Sequence, residues 1–229
     1  MEMALKRYFR YRDADERVDF EYEQHDGKGA VTMTETRQNL GGRLSLADPA
    51  TLTAAQRELF DAVLKTRVPW ADDAGFQVTT ADGRLIGPFN AFLLQPEVAA
   101  KFLEFRATAT DHTTLSERER EIVIIAVGTV WGAEYELYAH TALARHAGLS
   151  DDAVATLLKG EIPDSLSDRE RLAARVVQQL STVHRVSEEL YHEAEQAFGP
   201  RGLFDIVTLM GQYHTVCTLL TLFEVPAPK

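Results

Sequence analysis

The chain has 229 residues, 45% of them hydrophobic, with a net charge of −11 and a pI near 5.1. That length suffices for one large buried core, and the acidic surplus argues against nucleic acid or an anionic lipid surface as partner. The single cysteine, Cys217, excludes an intrachain disulfide and any cysteine-cluster metal site. No apolar run approaches the roughly 18 residues of a membrane span and the first residues lack the pattern of a secretory leader, so a cytoplasmic protein without a membrane partner is expected.

Val18, Phe20 and Tyr22 alternate with charged residues and the segment 26–29 supplies turn residues, which suits a small β-hairpin. The alternative is that residues 1–32 are an extension foreign to the fold. We therefore divide the chain into an N-terminal extension, 1–42, and a domain, 43–229. Within the domain Thr53 to Gln56, Ser116 to Glu119 and Ser167 to Glu170 each match the capping box, in which a hydroxyl and a side chain three residues on satisfy orphan amides at a helix start. A second short hairpin or ordered loop is expected near residues 76–87, where Asp82-Gly83 is a turn signal and Gly87-Pro88 follows. Pro96 suits a first helical position, and Val98, Phe102, Phe105 and Ala109 then recur at helical spacing. Gly148 and Gly160 stand where helices would stop, Ser150 and Ser187 where the next would start. The segment 201–223 is apolar on most sides, as a helix buried in the core or in a subunit interface would be. These signals predict an all-α bundle of about seven helices, with no internal repeat evident.

The stretch SEREREIVIIAVGTVWGAEYELYAH (116–140) runs from a core-like segment directly into Glu134, Glu136 and His140. A helix from about Gly132 to His146 places Glu136 and His140 four apart on one largely apolar face and turns Glu134 toward solvent. Such a pair is often an ordinary rim contact worth a few tenths of a kcal/mol. Facing a core, its members must satisfy each other, and burial brings the carboxyl and imidazole pKa values toward neutrality. Glu121 on the preceding helix and His214 on the late apolar helix are the remaining titratable candidates.

Several ordered motifs together, REREIVIIAVGTVWGAEYELYAHTALARHAGLSDD, MGQYHTVCTLLTLFEVPAP, DPATLTAAQRELFDAVL and GPFNAFLLQPEVA, resemble the carboxymuconolactone decarboxylase family, which includes alkylhydroperoxidase-D-like proteins. The resemblance spans roughly residues 43–228. In the family's peroxidase branch a Cys-x-x-Cys pair precedes the histidine, with a relay glutamate twelve residues before the first cysteine. Counted back from His140, the cysteine positions are Ala133 and Glu136 and the relay position is Glu121. Both thiols are absent, so the resemblance points to the cofactor-free, decarboxylase-like branch without Cys-x-x-Cys. It implies a lyase acting on a small organic acid or lactone, by decarboxylation or isomerisation, through general acid–base catalysis. His140 would be the main acid/base, Glu136 its partner and Glu121 a relay. His214 and Tyr213 are weaker substrate-binding candidates, joined by Phe89 and Asn90 if the GPFNAF loop covers the pocket. Arg43, Arg84, Arg106 and Arg120 could each hold a carboxylate, and no spacing selects among them. The resemblance also implies a homo-oligomer, a trimer or hexamer, and neither cofactor nor metal. Competing readings are a peroxidase dependent on Cys217, a non-catalytic oligomeric binding protein, and a metal site built from Glu121, Glu136, His140 and His214.

Overall fold

The computed structural model describes residues 40–229; the hairpin expected around residues 18–34 lies outside them. Among the described residues there are eight α-helices: α1 Ala54–Ala74, α2 Pro88–Phe92, α3 Pro96–His112, α4 Glu117–Trp131, α5 Glu134–His146, α6 Asp151–Leu157, α7 Asp168–Thr182 and α8 Glu188–Leu222. A 3-10 turn, Pro49–Thr51, lies just before α1. All three capping boxes form, and Ser150 and Ser187 cap α6 and α8 through their hydroxyls. The all-α expectation is borne out, with one helix more than the seven predicted. The addition is α2, five residues opened by Pro88 where only a loop was expected.

Residues 76–87 form an ordered loop rather than a two-stranded hairpin. Thr79 and Leu85 make one antiparallel bridge, supported by Thr80 N–H to Arg84 O at 2.9 Å and Ile86 N–H to Val78 O at 3.0 Å. The loop ends at Gly87, whose φ of 63° and ψ of −146° suit glycine alone. A Cβ there would lie 2.3 Å from two ring carbons of Tyr135, so the glycine also permits a close approach to α5.

Helix α4 is the axis of the fold. Ile122 through Val127 are all buried, because α5, α7 and α8 pack around it. Its start is tied to that of α7 by a reciprocal brace between two Ser-x-Arg-Glu sequences, 116–119 and 167–170. Arg118 Nε lies 2.6 Å from Glu170, and Arg169 Nε lies 2.5 Å from Glu119. Each glutamate also accepts the backbone N–H of its own helix's cap serine at 2.8 Å. Desolvation would raise the Glu170 pKa, but Arg118 and the Ser167 amide hold it below the usual carboxylate value.

Helix α8 combines the predicted start at Ser187 with the apolar segment 201–223, joined across a break at Gly199-Pro200 where Gly199 has a φ of 64°. One face buries Ile206, Met210, Tyr213, Cys217 and Leu220. The opposite face exposes Phe204, Val207, Gly211, Thr215, Thr218 and Leu222, a helical stripe without charge. Among the described residues no helix is long and apolar enough to cross a membrane.

Candidate functional site

Each element contributes to the site through the pattern that folds it. The capping box at Ser116 begins α4, and Glu121 lies one turn further in, just before the core-forming isoleucines. Gly132, with a φ of 59°, ends α4 and lets α5 start at Glu134, so Glu136 and His140 fall four apart on the face turned toward α4 and α8. Glu134 is exposed, as its spacing predicts.

His140 lies between two carboxylates. Its Nδ1 is 2.7 Å from Glu121 Oε2, and its Nε2 is 3.1 Å from Glu136 Oε1. The second contact is close but poorly aligned, leaving Glu136 Oε1 without a hydrogen bond among the described residues. We read it as an ion pair, since attraction at that distance does not require hydrogen-bond alignment. The Tyr213 ring meets the imidazole edge to face, with centroids 5.0 Å apart and an interplanar angle of 90°. Desolvation by burial would lower the His140 pKa. The field of an ionised Tyr213, of Glu121 and of Glu136 outweighs it and raises that pKa well above the ordinary histidine value. Glu121 at Nδ1 and Glu136 at Nε2 are the groups placed to pair with that proton.

That shift predicts a pH-dependent stability. A folded-state pKa raised above the unfolded value contributes stability that is fully present below the unfolded histidine pKa, about 6.5, and is lost as pH rises through the folded value. The unfolding free energy of the native chain, read from denaturant midpoints upward from neutral pH, should therefore fall by at most about 1.4 kcal/mol per pH unit from this group. The component should vanish in His140→Gln. Parallel midpoint curves for the two proteins would contradict a charged His140.

Glu121 and His140 border a cavity of about 370 Å³ closed by α1, α2, α3 and α8. Phe89 and Tyr213 line it, while Glu136 sits behind His140, away from the opening. Three guanidinium groups, Arg67, Arg106 and Arg120, converge on the same cavity. The Arg106 guanidinium donates to the Tyr213 hydroxyl and lies 4.8 Å from the centre of its ring. Burial and the neighbouring charge of Arg106 lower the Arg67 pKa. Such a cavity is suited to a small anion beside a buried carboxylate–imidazole row. A wider depression of about 700 Å³, over Ile162, Leu172 and Ala197, lies away from these groups.

Among the four arginines left open by the sequence, Arg106 and Arg120 line the cavity, Arg120 also pairing with Glu117 at 3.7 Å; Arg43 pairs with Glu224 and Arg84 with Asp82 outside it. Sequence reasoning missed Arg67. Its signal was a charge on the stripe Phe60, Val63 and Ala71, which α1 buries. Two candidates stand elsewhere. His214 accepts a hydrogen bond from Trp131 Nε1 at 2.7 Å and lies 3.4 Å from Ser181 Oγ, outside the cavity lining. Asn90 ties the chain before α1 to α2, accepting from Ala47 N–H at 2.9 Å and donating to Ser45 O at 3.3 Å. With His214 apart, the four-residue metal set is not assembled, and among the described residues no group of three or more His, Cys, Asp or Glu is placed to hold a metal ion. Cys217 is fully buried, and burial pushes its thiol pKa up.

Residues 96–179, which include α4, α5 and the row Glu121–His140–Glu136, match the Carboxymuconolactone decarboxylase family. No curated protein matches the chain. Among solved structures it is similar to a peroxidase-related protein from Silicibacter sp. TM1040, with a TM-score of 0.65 at 16% identity over 86% of this chain and 95% of that one. It is similar also to the alkylhydroperoxidase AhpD core of a peroxidase-related protein from Ralstonia eutropha JMP134, with a TM-score of 0.65 at 15% identity over 82% and 93%. A third is a cysteine-to-alanine variant of the debrominase Bmp8 in complex with 2,3,4-tribromopyrrole, with a TM-score of 0.63 at 13% identity over 82% and 94%. At these identities the likeness is one of fold.

Proposed function

Starting from a segment, residues 96–179, that matches the carboxymuconolactone decarboxylase family, we propose that the chain is a member of that family and a proton-transfer enzyme acting on a small organic acid or lactone. The observation that carries this reading is the row Glu121–His140–Glu136 ending on a cavity with three arginines. Both imidazole nitrogens are engaged, so His140 has no free nitrogen for a substrate. Glu121 binds it through Oε2 and faces the cavity, which makes Glu121 the group that exchanges a proton with substrate carbon. His140 stores that proton and returns it to Glu121, and Glu136 balances its charge from behind. The arginines hold the substrate carboxylate, and the apolar side chains of Phe89 and Leu143 shield one side of the exchange from water.

The rival reading takes its support from the peroxidase names of the structural neighbours. A thiol route needs an accessible thiolate and a resolving thiol. This chain has one cysteine, fully buried, with a raised pKa. Incubation with small oxo and unsaturated mono- and dicarboxylates in D2O, followed by proton NMR, should reveal carbon-bound deuterium or loss of CO2. Silence across that panel together with thiol-dependent hydroperoxide consumption would replace our reading by the rival one.

The same proposal includes a homo-oligomer. Its support is the uncharged stripe from Phe204 to Leu222 on a strongly acidic chain, with Phe204 70% exposed. Phe204→Glu should dissociate the assembly, as read by light scattering. A native chain that is already monomeric would end this part of the proposal.

A further inference from the structure

The role of Tyr213 is not exhausted by its contact with His140. Its hydroxyl oxygen accepts from the Arg106 guanidinium, and among the described residues the phenol O–H has no acceptor of its own. The side chain is 4% exposed, and the exposed part belongs to the cavity wall beside His140 and Glu121. A buried hydroxyl that accepts a charged hydrogen bond and lacks an outlet for its proton is a donor awaiting an acceptor. The cavity is where an acceptor on a ligand would meet it. Around it the cavity is rich in donors, Arg67, Arg106, Arg120 and the Gln212 amide, whose Nε2 is likewise without a partner.

We infer that Tyr213, backed by Arg106, is a catalytic residue that donates a hydrogen bond to a carbonyl oxygen of the substrate and stabilises it as that oxygen becomes an enolate. The inference rests on the proton-transfer reading of this site and narrows its substrate class to carboxylic acids that also bear a carbonyl conjugated with the reacting carbon. When a C–H bond breaks, its proton passes to Glu121 and its electron pair forms the C=C bond of an enolate. The former carbonyl pair rests on the oxygen facing Tyr213. Return of the proton from Glu121 to the same or a vinylogous carbon restores the carbonyl. Loss of CO2 follows the same course, with the C–C electron pair entering the enolate and the proton supplied by His140 through Glu121. Arg106 serves two ends: its charge favours the developing oxyanion through the phenol, and its place over the ring adds a cation–π contact. Burial raises the Tyr213 pKa against the opposing fields of Arg106 and His140, so the phenol keeps its proton and donates rather than ionises.

The test uses two probes on the full chain. Propionate offers only a carboxylate. 3-Nitropropionate in mildly alkaline buffer, where the carbon beside its nitro group ionises, offers the same carboxylate and a planar, negatively charged enolate mimic. Calorimetry should find the nitronate bound about tenfold or more tightly than propionate. Tyr213→Phe, which keeps the ring under Arg106 and against His140, should abolish most of that preference while leaving propionate affinity within about twofold. Retained propionate binding also reports an intact fold. If Tyr213→Phe prefers the nitronate as strongly as the native chain does, the inference about Tyr213 falls and the anion-binding reading stands. If the native chain binds neither probe, that reading falls and takes the inference with it.

Discussion

Glu121→Gln should lower deuterium exchange or decarboxylation at least about a hundredfold on any acid the native chain turns over. The amide keeps the shape of the carboxylate and can still meet His140 Nδ1, but it cannot carry a proton to carbon. His140→Ala should be comparably damaging, since Glu121 then loses the group from which its proton is replenished. Glu136→Gln should cost less, because Glu136 lies behind the imidazole and acts on its charge; its effect should appear mainly as a displaced pH profile. The three rates therefore test the order of roles. A Glu121→Gln variant of near-native rate beside an inactive His140→Ala would mean that His140, not Glu121, meets the substrate.

The second large effect is structural. Gly87→Ala should destabilise the fold by about 4 kcal/mol, combining a backbone conformation that costs a side-chain-bearing residue about 1–3 kcal/mol with an overlap costing about as much. The overlap cannot be relieved cheaply. Tyr135 is 2% exposed, and its hydroxyl donates to Gln77 O at 2.6 Å, so the ring can retreat only by shifting the first turn of α5. Glu136 is the next residue. For a domain of this size the melting temperature should fall by roughly 10 °C, with activity reduced beyond what the loss of folded protein explains. A melting temperature within about two degrees of the native value would show that the loop absorbs the methyl group.

Helix starts were legible because their signals are local: a serine or threonine hydroxyl and a glutamate or glutamine three residues on suffice, and Thr53, Ser116 and Ser167 carry them. The pair Glu136–His140 was legible for the same reason, one helix fixing both. Helix α2 was not, since Gly87-Pro88 reads as a turn and five residues give no periodicity to detect. The arginines were hidden differently. Arg67, Arg106 and Arg120 come from three helices, and only their packing decides which guanidinium groups share a cavity. His214 and Asn90 were misplaced because residue type announced a polar role without a direction: one turns to Trp131, the other to the backbone at residues 45 and 47.

The brace between the starts of α4 and α7 has a consequence for uniqueness. Each glutamate belongs to its own helix's cap and to the other helix's arginine, so both pairs close only at one axial alignment of the two helices. A slip of one residue breaks two ion pairs at once and strands two carboxylates that are nearly buried. The apolar seam between α4 and α7, built of small and β-branched side chains, would tolerate several neighbouring alignments. The brace removes that degeneracy, and because Glu121 lies two residues beyond Glu119, it also sets the depth at which the proton row opens into the cavity.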